Sequence, residues 1–215
     1  MNCPWCQSPS QKFAETTERQ YRFCPTCKLV FVPPEFFISE EDEIQRYLEH
    51  ENSLDNAGYV AMFQKKIDDI RQSCEGIRSV LDFGCGYAPV LKTLLEREGF
   101  ETAGYDPYFF PDWNPDARYD LILSTETFEH LKEPGREWDK LAGVLKPGGY
   151  LAVMTQFYPV AHERLEPEEF LNWYYHRDPT HICFYTPETF QWIVRHKGFQ
   201  LTLNNEKDFI ILKKS

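Results

Sequence analysis

SVLDFGCGYAPVLKTLLEREGFETAGYD, residues Ser79–Asp106, decides the fold. Ser79-Val80-Leu81 is mostly apolar and β-favouring, and it runs into Asp82-Phe83-Gly84-Cys85-Gly86. The two glycines there remove the Cβ atoms that would hold backbone away from a ligand. Ala88–Glu98 then has helical spacing, with Val90, Leu91, Leu94 and Leu95 on one face and charges on the other, and Gly99 stands at the C-cap. Thr102–Tyr105 reads as a second strand with Asp106 at its carboxyl end, the place where open α/β sheets read a ribose. The dinucleotide fingerprint G-x-G-x-x-G fails here, because Pro89 takes the third glycine position and Asp82 precedes the turn.

Downstream, Tyr119–Ser124 is the next strand, Pro134–Leu145 a helix and Tyr150–Thr155 a further buried strand. Pro107–Pro115 is short, aromatic and proline-broken, too short for a normal crossover helix, so the sheet is expected to lack one edge strand. Gln156–Thr186 is a long aromatic insertion, of a kind that in compact domains is usually functional. Thr186 caps a helix over Pro187–Lys197, and Phe199–Leu203 with Asp208–Leu212 closes the chain as an antiparallel hairpin.

Upstream, Cys3-Pro4-Trp5-Cys6 and Cys24-Pro25-Thr26-Cys27 give C-x2-C-x17-C-x2-C, the spacing of a four-cysteine zinc site. Zn²⁺ takes four thiolates in a tetrahedron, and each knuckle supplies one edge of it. Lys12–Glu15, Gln20–Phe23 and Leu29–Val32 are the candidate ribbon strands. Such knuckles often carry Gly after the second Cys, whereas Gln7 and Lys28 stand there, which predicts a weaker turn. So short a segment is expected to draw its folding energy from the metal. Pro33-Pro34 ends it. An acid-rich helix begins at Ser39 and reaches Leu48. A break near Asn52–Asn56 separates it from a second helix at about Ala57–Ser73, whose aromatics either pack in the core or lid the ligand cleft.

The 215 residues carry a net charge of −11 with 16% aromatics, ample for a core and a poor match for phosphate backbones. No apolar run approaches a membrane span and no export signal opens the sequence, so a cytoplasmic location is expected and paired CxxC points to metal rather than disulfides.

VLDFGCGYA resembles motif I of class I S-adenosylmethionine-dependent methyltransferases, YDLILSTETFEHL resembles their strand-4 motif, and LKPGGYLAV the turn into strand 5. The likeness covers about residues 76–215. The N-terminal cysteines and RDPTHICFYTPETF resemble a bacterial subgroup with a zinc ribbon. The resemblance implies a Rossmann-like α/β fold in three parts: a zinc ribbon (1–34), a helical linker or cap (35–75) and a methyltransferase domain (76–215). It implies S-adenosylmethionine as cofactor. Asp82, Gly84, Cys85 and Gly86 would lie at its methionine end, Asp106 on the ribose and Thr125 beside it. Structural Zn²⁺ would bind Cys3, Cys6, Cys24 and Cys27. The family's acidic adenine contact has no counterpart, which leaves Tyr108, Phe109 or Trp113 as stacking candidates.

Methyl transfer needs an aligned nucleophile and, for a hydroxyl or thiol, a base. Glu129, His130, His176 and His181 are the candidates, with Glu129, His130 and His181 preferred; Arg177 and Asp178 lie between the last two. Cys85 has no activating partner in the sequence and reads as a small residue beside the cofactor. The expected acceptor is a small molecule or sugar derivative. The rivals are an RNA-modifying enzyme in which the ribbon presents substrate, and a cofactor-binding scaffold without turnover. The sequence sets no oligomeric state.

Overall fold

The computed structural model describes residues 1–49, 53–158 and 166–215. Its larger sheet is built outward from the stretch quoted above. Strand β4 (Ser79–Phe83) pairs in parallel with β5 (Glu101–Tyr105) on one side and β6 (Tyr119–Thr125) on the other. Strand β7 (Leu145–Met154) continues the parallel run beside β6. The C-terminal hairpin of β9 (Phe199–Asn204) and β10 (Phe209–Lys214) completes it, β10 pairing antiparallel with both β7 and β9. The order is β5-β4-β6-β7-β10-β9, six strands with one reversed, and no further strand beyond β5 among the described residues. The edge strand is therefore missing where the proline-broken segment predicted. In its place, residues after Asp106 fold back in a tight turn closed by paired Asp106 and Phe110 backbone hydrogen bonds, 3.0 Å each.

Helices α2 (Ala57–Ser73) and α3 (Val90–Arg97) cover one face, where Phe63, Ile67, Ile70, Leu91, Leu94 and Leu95 are buried against Val80, Leu121 and Leu123. Helix α3 starts two residues later than its periodicity implied, because Pro89 occupies the cap. Helices α4 (Pro134–Val144) and α6 (Pro187–His196) cover the other face through Trp138, Leu141, Phe190 and Ile193. Thr186 caps α6 as expected, in a capping box with Thr189. Burial of side chains this size at roughly 1.5–3 kcal/mol each makes the two faces the main source of stability.

The N-terminal segment forms a second sheet, in which β1 (Gln11–Glu15), β2 (Gln20–Phe23) and β3 (Val30–Phe31) run antiparallel. Its fourth strand comes from far downstream: β8 (Cys183–Phe184) pairs with β3. Cys3, Trp5, Cys24 and Cys27 are buried in one cluster with Phe83, Ile122, Phe128 and Trp138. The ribbon residues thus share the core of the larger sheet and need not build their own. The knuckle turns form without glycine: Gln7 (φ 59) and Lys28 (φ 64) take the left-handed conformation, and their amides donate to Cys3 and Cys24 carbonyls at 3.0 and 2.8 Å. The predicted weakening of those turns is not seen.

The aromatic insertion becomes helix α5 (Pro167–Asn172), a 3₁₀ turn over Tyr174–Arg177, and β8; its residues 159–165 lie outside the described residues, as does Asn52 in the predicted interhelical break. Tyr158, Phe170, Tyr175 and Phe184 bury themselves against Ala14, Tyr21 and Val30 of the small sheet. Helix α1 (Glu40–Leu48) is capped by Ser39, whose side chain accepts from the Asp42 amide.

Candidate functional site

A cavity of about 380 Å³ opens at the carboxyl ends of β4, β5 and β6, the edge at which open α/β sheets take ligands and a size suited to small molecules. The glycine turn forms its floor. Gly84 and Gly86 both have positive φ (+78° and +65°), and a Cβ on Gly86 would meet nothing within 4 Å, so the backbone lies open to the cavity there. At Gly84 the reverse holds: a Cβ would come within 2.1 Å of Thr127 Oγ1, so glycine is required to seat the turn against the loop after β6.

Asp82, the penultimate residue of β4, is fully buried beneath this turn, and its Oδ2 has no hydrogen-bond partner among the described residues. Burial, with a smaller contribution from Asp106, pushes its carboxyl up to about 7. Asp106 sits opposite. Its Oδ2 accepts from the Gly86 amide at 3.1 Å, and its Oδ1 from the Tyr108 and Phe109 amides at 2.9 and 3.2 Å. The tight turn after Asp106 thereby holds Tyr108 and Phe109 at the cavity wall, whereas Trp113 packs on Tyr105 and under Lys140 away from it. Cys85 lines the floor with its thiol pushed up to about 12 by burial, a protonated and unreactive group.

The roof comes from the two helices upstream. Tyr47 of α1 and Tyr59 and Phe63 of α2 line the cavity, while Phe63, Ile67 and Ile70 also enter the core, so the second helix both packs and covers. Buried Glu43 ties this roof down: it accepts from Tyr47 at 2.7 Å, from Tyr108 at 3.1 Å and from Lys132 at 2.9 Å. Nothing in the sequence singled out Glu43, one of four acids in the first turn of α1; its i, i+4 spacing from Tyr47 was the available signal.

His130 and His181 also line the cavity, their rings 4.9 Å apart, with the Tyr47 ring 5.2 Å from His130. His130 Nδ1 donates to the Thr180 carbonyl at 3.0 Å, and His181 Nδ1 to the Tyr175 carbonyl at 2.8 Å, so in the neutral ring Nε2 is the acceptor. Burial, then the neighbouring His130, pushes His181 down to about 4, which keeps it neutral near pH 7. Glu129 is fully buried behind them and does not line the cavity; it accepts a hydrogen bond from the Tyr175 hydroxyl. Thr125, at the end of β6, lines the wall. Glu126, next in the chain and given no role in the sequence reading, also lines it with a positive φ of 50°, its carboxyl pushed up to about 9 by burial and by Glu129.

His176 and Asp178 lie apart from the cavity. His176 is buried between the Tyr21 hydroxyl (2.9 Å) and the Leu171 carbonyl (3.0 Å). Asp178 accepts from the Thr180 amide and hydroxyl and pairs with Arg46, which together hold its carboxyl well below the usual range. The loop carrying these residues is gripped by Arg19, from the turn between β1 and β2. Its guanidinium donates to the carbonyls of His176, Asp178, Pro179 and His181 and to the Tyr21 hydroxyl. The sequence offered only an isolated basic residue in a turn, with no sign that its partners lay about 160 residues on.

The four N-terminal sulfurs come together as expected: all lie within 4.8 Å of one another, with Cys3–Cys27 at 3.5 Å and Cys6–Cys24 at 3.4 Å. Zn–S bonds of about 2.3 Å put tetrahedral sulfurs roughly 3.8 Å apart, so the set fits one zinc ion.

A mostly parallel sheet with this reversed strand near its end, and a glycine-floored cavity flanked by Asp82 and Asp106, defines a Rossmann-like, class I S-adenosylmethionine-dependent methyltransferase. Residues 42–204 match the family model described as "Methyltransferase domain", and the chain belongs to that family. Among curated relatives, the ubiquinone biosynthesis O-methyltransferase of Bradyrhizobium sp. (strain ORS 278) is 30% identical over 103 residues, 37% of this chain and 40% of that protein. The match therefore spans well under half of the relative's length. Among solved structures, an S-adenosylmethionine-dependent methyltransferase from Archaeoglobus fulgidus superposes with a TM-score of 0.50 at 20% identity over 72% of this chain and 94% of the other. The magnesium protoporphyrin IX methyltransferase of Synechocystis PCC 6803, solved with S-adenosylhomocysteine bound, gives 0.51 at 14% identity over 84% and 97%. These two likenesses are of fold. No helix among the described residues is long and apolar enough to cross a membrane.

Proposed function

We propose that the protein methylates an oxygen atom of a small-molecule acceptor, held at the His130–His181 end of the cavity. The observation that carries this reading is that a single cavity gathers two sets of groups. The glycine floor beside Asp82 and Asp106 suits the cationic cofactor, and the imidazoles of His130 and His181 suit an acceptor. The printed name of the curated relatives, O-methyltransferase, supports oxygen as the atom. The chain's net charge of −11 weighs against RNA.

In this reading the orphaned Asp82 Oδ2 faces the cofactor's ammonium, the open backbone at Gly86 lets its methionine end approach, and Asp106 meets the ribose. Cys85 and Thr125 line its path, and Tyr108 or Phe109 offers a ring face for the adenine. S-adenosylmethionine supplies an electrophilic methyl on sulfur. The chain aligns an oxygen nucleophile with the C–S bond and excludes water beneath the Tyr47, Tyr59 and Phe63 roof. Without a metal on them, His130 and His181 can each take the acceptor's proton on Nε2. Glu129, behind them, orients rather than touches the acceptor. The four cysteines hold a structural zinc that secures the small sheet, and through Arg19 that sheet holds the His181 loop in place.

A screen of phenolic, sugar and nucleotide acceptors with methyl-labelled cofactor tests the proposal. Label in an ether product supports it, and label appearing only in RNA, with steep salt dependence, refutes it.

A further inference from the structure

Three ligand atoms, one each from Glu129, His130 and His181, lie within 4.8 Å of one another at the acceptor end of the cavity. We propose that these three residues form a second metal site, separate from the cysteine cluster, that holds one first-row divalent transition ion.

The arrangement departs from what two packed histidines would show in three respects. First, both imidazoles spend Nδ1 on a backbone carbonyl, Thr180 for His130 and Tyr175 for His181. That outer hydrogen bond fixes the tautomer and aims Nε2, the pattern of metal-ligating histidine. Second, Glu129 is fully buried, with one oxygen engaged by the Tyr175 hydroxyl and with the Glu126 carboxyl against it. Two carboxyls this close repel when both are charged, and a cation offsets that repulsion. Third, the histidines face an open cavity, which leaves coordination positions for a ligand. Ligands of one ion stand about 3.0–3.4 Å apart when each bond is about 2.1 Å, and the three ligand atoms, all within 4.8 Å of one another, are close enough for one cation to gather.

Two imidazoles and one carboxylate suit Mn, Fe, Co, Ni or Zn rather than Mg or Ca, which favour oxygen ligands. The positions opposite the protein ligands would take the acceptor. The class that fits is a molecule with two adjacent oxygen donors, which binds the ion through both and has one of them acidified by it. This assignment of the acceptor rests on the methyl-transfer reading; occupancy of the site by a metal does not.

The experiment titrates Co²⁺ into full-length protein whose cysteine site is already loaded with zinc, followed by calorimetry and visible absorption. One further equivalent is expected, with the weak d–d bands of nitrogen and oxygen ligation and without sulfur-to-cobalt charge transfer. Glu129→Gln, His130→Ala and His181→Ala should each weaken it by more than the roughly 10- to 100-fold that outer partners are worth. S-adenosylhomocysteine affinity serves as the measure that each variant is folded. Absence of a further equivalent in the unmodified protein overturns the proposal whatever the variants do, and so does Co²⁺ affinity unchanged in all three folded variants. Metal binding without methylation of any acceptor leaves the site standing and counts against the methyl-transfer reading alone.

Discussion

Cofactor affinity should rise with pH because of Asp82. Its buried carboxyl, lifted to about 7 by desolvation, is largely protonated in the empty protein at mildly acid pH. A bound ammonium beside the unpartnered Oδ2 demands the ionised form. The sign follows: affinity is fully present above the empty-state pKa and is lost as pH falls through it. A group of pKa about 7 is roughly 90% ionised at about pH 8 and roughly 10% at about pH 6. The dissociation constant should therefore rise about tenfold between them, about 1.4 kcal/mol. Calorimetric titration with S-adenosylhomocysteine, which keeps the ammonium and does not react, measures both consequences. In two buffers of different ionisation enthalpy it should also report nearly one proton released per ligand at the lower pH. Asp82→Asn should bind weakly and lose the pH slope. Glu126 also lines the cavity, but its carboxyl lies higher, at about 9, and would place the rise in affinity there instead. A flat affinity with no proton release, or a slope that survives in Asp82→Asn, would refute the assignment.

Three further outcomes follow from particular contacts. Gly135→Ala places a Cβ 2.3 Å from the Trp5 carbonyl oxygen, so it should cost up to about 3 kcal/mol and lower the melting temperature by roughly 6–12 °C, whereas Gly143→Ala on the same helix meets nothing and should gain up to about 1 kcal/mol. Arg19→Lys keeps the charge but cannot reach four carbonyls at once, so turnover should fall about tenfold or more as the His181 loop shifts, with S-adenosylhomocysteine affinity unchanged. Asp120 is held down at about 2 by Lys146, Ser79 and the Arg78 amide, so its stabilising effect should be complete above about pH 4 and fade as pH falls toward 2; acid unfolding of Asp120→Asn should lack that component.

What could be read from sequence was whatever is encoded within a few residues. The turn at Gly84–Gly86, the cap at Thr186 and the four cysteines each declare themselves through local spacing, and each stands where expected. The missing edge strand was equally legible, since Pro107, Pro111 and Pro115 forbid a crossover helix. The long-range partnerships were not. The length and aromatics of Gln156–Thr186 read as functional, yet its Phe170 and Tyr175 pack against Ala14 and Tyr21, because composition says that a ring is buried but not against what. Trp113 failed as a cavity candidate for the same reason, taken up by Tyr105 and Lys140. Glu126, though inside the stretch that resembles the strand-4 motif, and Glu43 have no role that local spacing declares; their positions follow from a left-handed backbone and a helix packed over a sheet edge.

The pairing of β3 with β8 also bears on how the chain is made. Val30 meets Phe184 and Phe31 meets Cys183, contacts that close a loop of about 150 residues. At ribosomal rates of roughly 5–20 residues per second, the first-made hairpin waits on the order of ten seconds for its last strand. Through that interval its cysteines can already gather a metal, while Val30 and Phe31 have an open edge and Tyr21 lacks its cover. With zinc in the cysteine site, its supply during synthesis should matter more to the yield of folded protein than its supply afterwards.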